Sequence, residues 1–163
     1  MKPENLPPSP ANDARWAETW QDLGHGAPTL AGFARVCSLS LATGGNTEAE
    51  LSLEAETILF AARTRGVVEI KGANRAFDAP GRMLAVYVEK QPDRTLIFRS
   101  RENPAFTIRF LAGFRELCAA GLAMHHIYQE FSLTRAGLDR AQTIPEEKVA
   151  ALIQLATDVS AYE

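Results

Sequence analysis

The stretch that decides the fold is Leu117–Leu138, which reads LCAAGLAMHHIYQEFSLTRAGL. Gly121 follows an apolar helical stripe, and a glycine at that place favours the left-handed conformation that ends a helix. The side chains after it alternate as on a strand, with a turn at Gln129–Glu130 and a returning strand at Phe131–Leu133. Thr134 is a typical N-cap of one more short helix. The stretch therefore predicts helix, strand, turn, strand and helix.

Two capping boxes predict helices on either side of this stretch. Thr47 with Glu50 opens a helix over about 48–65, whose apolar residues recur at helical spacing. Thr143 with Glu146 opens a closing amphipathic helix. Its apolar stripe reaches to Val159, so we expect the helix to extend that far.

The remaining segments give mixed signals. Val67–Ile70 and Thr95–Arg99 predict short strands, and Pro104 at a first helical position predicts a helix up to Gly121. The segment Met83–Glu89 fits either a helix or a strand, and a helix is slightly favoured. Pro28–Gly45 carries both periodicities and is left unassigned.

Composition predicts a single soluble domain. The chain has 163 residues, of which 46% are hydrophobic and 23% charged, enough for a core without disulfides or metal. Cys37 and Cys118 are far apart and form no CxxC pattern, so they are expected to be reduced thiols. No apolar run is long enough to span a membrane, and the proline-rich first ten residues do not resemble a signal peptide. A cytoplasmic location is expected.

The expected fold class is α+β. Trp16 and Trp20 recur at helical spacing and predict a short anchoring helix in an N-terminal arm. The predicted organisation, in chain order, is a disordered proline-rich tail (1–11), a helical arm (12–46), a central domain (47–142) and a C-terminal amphipathic helix (143–163).

Charge is segregated along the chain. Residues 1–62 carry −5, residues 63–115 carry +6 and residues 116–163 carry −4, and nine of the eleven central cations are arginine. Arginine suits planar phosphate contacts, so the middle third is a candidate basic surface. The alternative is that these cations neutralise the acidic ends within the same fold. The candidate nucleic-acid-binding residues are Arg63, Arg65, Lys71, Arg75, Arg82, Arg109 and Arg115.

The stretch Leu117–Leu138, with its aromatic-x-Leu-Thr-x-x-Gly sequence, resembles the end of a winged-helix domain. The resemblance extends over about 48–142. It implies that Leu122 and Leu133 fill the core and that Thr134 caps the closing helix. Many members of this family bind DNA and regulate transcription, whereas others only contact proteins, so the fold alone does not decide the function.

Two departures weaken the DNA-binding implication. The reader helix would be Pro104–Ala120, whose predicted outward face carries Arg109, Ala112, Gly113 and Glu116, with Arg115 at its flank. Glu116 would be repelled by phosphates unless it met a cytosine amino group. The wing is also short and acidic, whereas wings that enter a minor groove are basic.

No catalytic or metal-binding pattern is present in the sequence. His125 and His126 are adjacent, so on a strand they point to opposite faces and do not share a metal. His126 is expected to pack beside Met124, with His125 exposed. Cys118 lies on the apolar face of a helix, which favours a buried, inert thiol over a nucleophile. We therefore expect a protein that is not an enzyme and has no cofactor.

Two functions follow from the sequence. The first is non-enzymatic nucleic-acid binding or regulation through the central arginines, with duplex nucleic acid as the partner. The alternative is a protein-interaction or scaffolding module, in which the short wing and the acidic ends contact a partner protein and DNA is not bound. A homodimer through the C-terminal helix is a further possible assembly, because terminal apolar helices often mediate dimerisation.

Overall fold

The computed structural model describes residues 17–18, 28–72 and 78–160, and it has an α+β fold. Its helices are α1 (Pro28–Thr43), α2 (Leu53–Ala62), α3 (Ala79–Arg82), α4 (Pro104–Ala120), α5 (Arg135–Ala141) and α6 (Glu146–Leu155). Its strands are β1 (Val67–Lys71), β2 (Ala85–Gln91), β3 (Arg94–Phe98), β4 (Ala123–His125), β5 (Glu130–Leu133) and β6 (Thr157–Ser160). The strands form one antiparallel sheet in the order β4-β5-β1-β2-β3-β6.

One face of the sheet, the covered face, carries the hydrophobic core. Its buried residues are Val68, Ile70, Val86, Val88, Leu96, Phe98, Phe131 and Leu133. Phe98 stacks on Phe110 of α4 with ring centroids 4.3 Å apart, and Phe114 meets Phe131 edge-on at 4.9 Å. The opposite face, the open face, carries side chains that are only partly buried: Val67, Glu69, Tyr87, Glu89, Thr95 and Ile97. The sheet therefore separates a helical layer from a polar surface.

Helix α2 begins later than the sequence predicts. Its N-cap is Ser52, whose hydroxyl accepts a hydrogen bond from the N–H of Ala55, so the capping box at Thr47 and Glu50 was the wrong start. The carboxylate of Glu116 in α4 accepts the N–H of Ser52 at 2.8 Å. A contact from a distant helix thus helps to fix the start of α2.

Two segments differ from the local prediction. The helix favoured for Met83–Glu89 was wrong, because Ala85–Gln91 is strand β2. It pairs with β1 on one side and β3 on the other. This pairing stabilises the extended conformation that its valines and tyrosine already favour. The unassigned segment Pro28–Gly45 contains helix α1, which buries Phe33 and Cys37.

The predicted order of elements around Leu117–Leu138 is confirmed. Gly121 has φ 76°, which ends α4, and the hydroxyl of Thr134 accepts the N–H of Gly137 at the start of α5. A Cβ on Gly137 would overlap the carbonyl oxygen of Leu122, which explains the glycine of the motif. The first strand is shorter than expected, because β4 ends at His125. The turn occupies residues 126–129 and is called the β4–β5 turn below.

The closing helix also differs from the prediction. The hydroxyl of Thr143 donates to the carbonyl of Arg140 and caps nothing in α6, whose N-cap is Pro145. The helix ends at Leu155, and the following residues form β6 at the edge of the sheet, because they pair with β3. Val149 of α6 is buried in the chain's own core.

The helical arm and the closing helix share the core of the central domain. Leu30 and Phe33 of α1 and Val149 of α6 belong to the same buried cluster as the sheet residues. The predicted tail and the tryptophans Trp16 and Trp20 lie outside the described residues. None of the described helices combines the length and apolarity needed to cross a membrane.

Candidate functional site: the β4–β5 turn and the central cations

Hydrogen bonds fix the backbone of the β4–β5 turn. The N–H of Glu130 donates to the carbonyl of Ile127 at 2.9 Å, and the N–H of Ile70 in β1 donates to the carbonyl of Gln129 at 3.0 Å. Tyr128 has φ 48°, which is the left-handed region that non-glycine residues rarely adopt. The turn therefore holds an unfavourable backbone conformation in place, and such conformations cluster at functional sites.

The tip of this turn exposes two large apolar side chains next to each other. Ile127 is 52% exposed and Tyr128 is 57% exposed. Gln129 and Glu130 complete the tip and are also exposed. The tip is thus apolar at its end and acidic at its base, and no cation belongs to it.

The two histidines support the turn, with exposures opposite to those expected. His125 is partly buried, and its ring lies 4.9 Å from the ring of Phe131, whereas His126 is exposed. Nε2 of His125 is 2.7 Å from the carbonyl oxygen of Tyr128, which only accepts, so this nitrogen carries the proton. Nε2 of His126 is 2.7 Å from the hydroxyl of Ser132. Strand β4 ends at His125, so the alternation of buried and exposed side chains does not continue to His126.

Three of the candidate cations, Arg65, Lys71 and Arg109, form ion pairs with neighbouring carboxylates. Nη2 of Arg65 is 3.1 Å from Oε1 of Glu89, Lys71 pairs with Glu69, and Nε of Arg109 is 3.6 Å from Oε1 of Glu54. The pair Arg109–Glu54 joins the basic middle to an acidic end, as the neutralisation alternative predicts, whereas the other two pairs lie within the middle third. Each such pair reduces the local positive potential available to a phosphate.

The other candidate residues are scattered over the molecule. The guanidinium of Arg63 lies 3.7 Å from the centre of the Phe60 ring and donates to the Phe60 carbonyl. Arg115 is exposed on α4, and Arg82 is exposed on α3. Arg75 lies outside the described residues. The described candidates therefore belong to different helices, strands and loops, although Lys71 of β1 and Arg82 of α3 come close, since a Cβ on Gly72 would overlap the carbonyl oxygen of Arg82.

A smaller basic group at one end of the sheet combines two of the candidates, Lys71 and Arg82, with two arginines that were not among them. Nη2 of Arg99 donates to the carbonyls of Lys71 and Met83, which places Arg99 beside Lys71 and next to Arg82. Arg101 follows on the chain, and its Nη1 is 3.9 Å from Oδ1 of Asp78. We call Lys71, Arg82, Arg99 and Arg101 the basic end. Arg99 gave no sequence signal, because its position depends on the pairing of three strands.

Two of the four residues on the predicted reader face of α4, Arg109 and Ala112, are exposed, whereas Gly113 and Glu116 contact α2 or the residue before it. Gly113 is buried against α2, where a Cβ would lie 2.8 Å from the backbone nitrogen of Ala55. Glu116 caps α2 through Ser52 and is not directed at a groove. The expectation of an outward face at these two residues was wrong, since helical spacing alone does not tell which side another helix covers.

Two shallow cavities lie on the surface of the described residues. One, of about 270 Å³, is on the open face and includes Tyr87 and the paired carboxylates Glu69 and Glu89. The other, of about 350 Å³, lies where Arg140 donates to the carbonyl of Thr47. Among the described residues, no group of three or more His, Cys, Asp or Glu side chains could hold a metal ion.

Two pKa shifts are clear in the structure. Burial raises the pKa of the Cys118 thiol, and the hydrogen bond with Cys37 acts in the same direction. The hydrogen bond from Arg94 lowers the pKa of Asp158 on the edge strand β6. Neither group lies in the β4–β5 turn.

Comparison with known proteins identified no relative. No protein-family model, curated protein or solved structure matched the chain. The winged-helix resemblance therefore stays a prediction based on the motif.

Proposed function

We propose that this chain is a protein-interaction module whose contact surface is the tip of the β4–β5 turn. The observation that carries the proposal is the pair Ile127 and Tyr128, each more than half exposed on a backbone fixed by hydrogen bonds. Large apolar and aromatic side chains in such a place bind by filling a pocket, and tyrosine is enriched among residues that dominate binding energy. A rigid turn also loses little conformational entropy on binding.

The charge around the tip indicates the kind of partner. Glu130 is exposed beside the tip, and residues 126–130 include no lysine or arginine. A complementary surface would be an apolar pocket with a basic residue on its rim. Such a partner is a protein surface and not a nucleic-acid backbone, since Glu130 would repel phosphates.

The test is a quantitative pull-down with matched variants. Tyr128→Ser removes the aromatic ring from the tip. Leu155→Ser removes an equally exposed apolar side chain, 62% accessible, at the end of α6. We expect a stoichiometric partner protein to be recovered with the wild type and with Leu155→Ser, and binding of the purified partner to weaken about 30-fold in Tyr128→Ser.

Two outcomes count against the proposal. A partner that binds Tyr128→Ser as tightly as the wild type would place the contact elsewhere. Failure to recover any stoichiometric protein partner, together with tight binding of duplex DNA, would favour the nucleic-acid hypothesis. Circular dichroism of each variant checks that the fold is retained, which is expected because both side chains are exposed.

The basic end favours the second candidate function, which is nucleic-acid binding. Lys71 pairs with Glu69, Nη1 of Arg101 lies 3.9 Å from Oδ1 of Asp78, and the side chain of Arg101 is 65% exposed. Binding of this kind depends on counterion release, so affinity for duplex DNA should fall by about one log unit per log unit of salt for each phosphate neutralised. The double variant R82E/R101E should abolish that binding while leaving the protein partner's affinity unchanged. Salt-independent DNA binding would contradict this candidate.

A further inference from the structure

Helices α1 and α4 lie side by side and run in the same direction. The rings of Phe33 and Phe114 meet edge-on with centroids 5.5 Å apart. Further along both helices, the hydroxyl of Ser40 donates to the carbonyl of Ala119 at 3.1 Å. These two contacts fix the register of the pair, since sequence number rises together in both helices.

Two cysteines occupy matching places in this register. Cys37 follows Phe33 by one helical turn, and Cys118 follows Phe114 by one helical turn. Both thiols are fully buried and no disulfide joins them. The register set by the Phe33–Phe114 and Ser40–Ala119 contacts places the two cysteines side by side, and the proximity of Cys37 contributes to the raised pKa of the Cys118 thiol. A disulfide needs such proximity.

The closed structure protects the thiols from reaction. Burial raises the pKa of Cys118, so that its sulfur stays protonated, and the thiolate is the form that reacts. Helix α1 packs mainly on α4 and β4, and it exposes Leu39 and Leu41 on its outer side. A helix at the periphery opens at a lower free energy than the whole domain unfolds. Opening of α1 would give solvent and small oxidants access to both sulfurs.

We propose that Cys37 and Cys118 are a redox modification site that hydrogen peroxide converts to an intrachain disulfide. One thiolate attacks the peroxide O–O bond and becomes a sulfenic acid, and the hydroxide that leaves takes up a proton to form water. The second sulfur then attacks the sulfenic sulfur, the S–S bond forms, and the hydroxyl leaves with a proton as a second water. Two thiols are oxidised and one peroxide is reduced to two waters.

The disulfide would tie a peripheral helix to the centre of the core. It closes a loop of about 80 residues, for which a large loss of unfolded-state entropy is expected. We expect the melting temperature to rise by about 10 °C on oxidation. Opening of α1 would be suppressed, so amide hydrogen exchange in α1 should slow more than exchange in α6.

The experiment exposes the purified chain to hydrogen peroxide under native conditions and maps the peptides by mass spectrometry. The expected product is a single chain that has lost two hydrogen atoms, with peptides containing Cys37 and Cys118 joined. The variant C37A, treated in the same way, controls for oxidation of methionines and should show no increase in melting temperature. Because the main readout uses the wild type, it does not depend on the stability of the variant.

Three results would overturn the proposal. The first is oxidation of either cysteine to sulfinic acid without a cross-link. The second is a disulfide between two chains in place of one within the chain. The third is survival of both thiols under conditions in which the urea-unfolded chain is fully oxidised, because this would show that α1 does not open far enough for reaction.

Discussion

Adjacent residues of β3 experience two different environments. Phe98 is fully buried on the covered face, where it stacks on Phe110, whereas Ile97 is only partly buried on the open face. The same alternation holds in β1, where Ile70 is buried and Glu69 pairs with Lys71. One face is thus stabilised by apolar packing and the other by paired charges.

This difference shows why charge counted along the sequence does not give a surface potential. Arg65 and Lys71 pair with Glu89 and Glu69 on or beside the open face, and all four residues belong to the middle third. Arg94 and Arg109 instead pair with Asp158 and Glu54 of the acidic ends, and Arg94 and Asp158 are 64 positions apart in the sequence. The open face is therefore polar with balanced charges.

The largest expected effect comes from a pair of substitutions on β3. Phe98→Ala should lower the free energy of unfolding by about 3–5 kcal/mol, because it removes a buried ring and leaves a cavity against α4. Ile97→Ala on the open face should lower the free energy of unfolding by roughly 1 kcal/mol, because Ile97 buries less apolar surface than Phe98 does. Urea denaturation measures both. Equal losses would show that the open face is covered in solution.

Two glycines test the packing of the helical layer. Gly113→Ala should destabilise the chain by about 1–3 kcal/mol, because the added Cβ would meet the backbone of α2. Gly32→Ala on α1 should stabilise it by about 0.5–1 kcal/mol, because no atom lies within 4 Å of the added carbon and alanine favours a helix. Thermal unfolding should show shifts of opposite sign. A stabilising Gly113→Ala would contradict the close contact of α2 and α4.

Tyr87 links the open face to the basic end. Its hydroxyl accepts a hydrogen bond from Nη1 of Arg99 at 2.9 Å, and Nε of Arg99 has no hydrogen-bond partner among the described residues. Tyr87→Phe removes the acceptor of Nη1 of Arg99, so that a second guanidinium nitrogen loses its hydrogen bond. The free energy of unfolding should fall by about 1–1.5 kcal/mol. Tyr128→Phe at the exposed tip is the matched control and should change stability by less than about 0.5 kcal/mol. If Tyr87→Phe left the stability unchanged, water would have replaced the lost hydrogen bond to Arg99.

The smallest expected effect concerns the edge of the sheet. The hydrogen bond from Arg94 lowers the pKa of Asp158, so the carboxylate contributes stability above the unfolded-state pKa and loses it as the pH falls through the lowered value. Both side chains are well exposed, so Asp158→Asn should cost less than about 1 kcal/mol at neutral pH.

Urea denaturation at two pH values tests this sign. The difference between the wild type and Asp158→Asn should be present at pH 7 and shrink as the pH falls through the lowered pKa of Asp158, because the carboxylate then becomes protonated. Asp93→Asn in the exposed β2–β3 turn is the control, with no difference expected at either pH. A difference that grows in acid would contradict the assigned direction of the pKa shift.

The elements with local stop and start signals were predictable. Pro104 and Gly121 bound α4 because their backbone preferences act within one turn, and Thr134 caps α5 for the same reason. The segment Ala85–Gln91 was not predictable, because its strand state depends on two neighbouring strands that are distant in sequence. The candidate site shows the same division. The sequence predicted a short turn followed by an acidic residue, but it did not predict that the side chain of Tyr128 is exposed.

The sequence by itself determined the α+β class, the ends of α4, the cap of α5 and the segregation of charge along the chain. These features depend on backbone preferences and composition, which act over a few residues. Only the tertiary structure decided which cations are neutralised, which face of α4 is covered and where Cys37 meets Cys118. Those outcomes depend on contacts between residues that are far apart in the chain. The physical reason is that a side chain becomes buried or ion-paired only when the helices pack on the sheet and the strands pair.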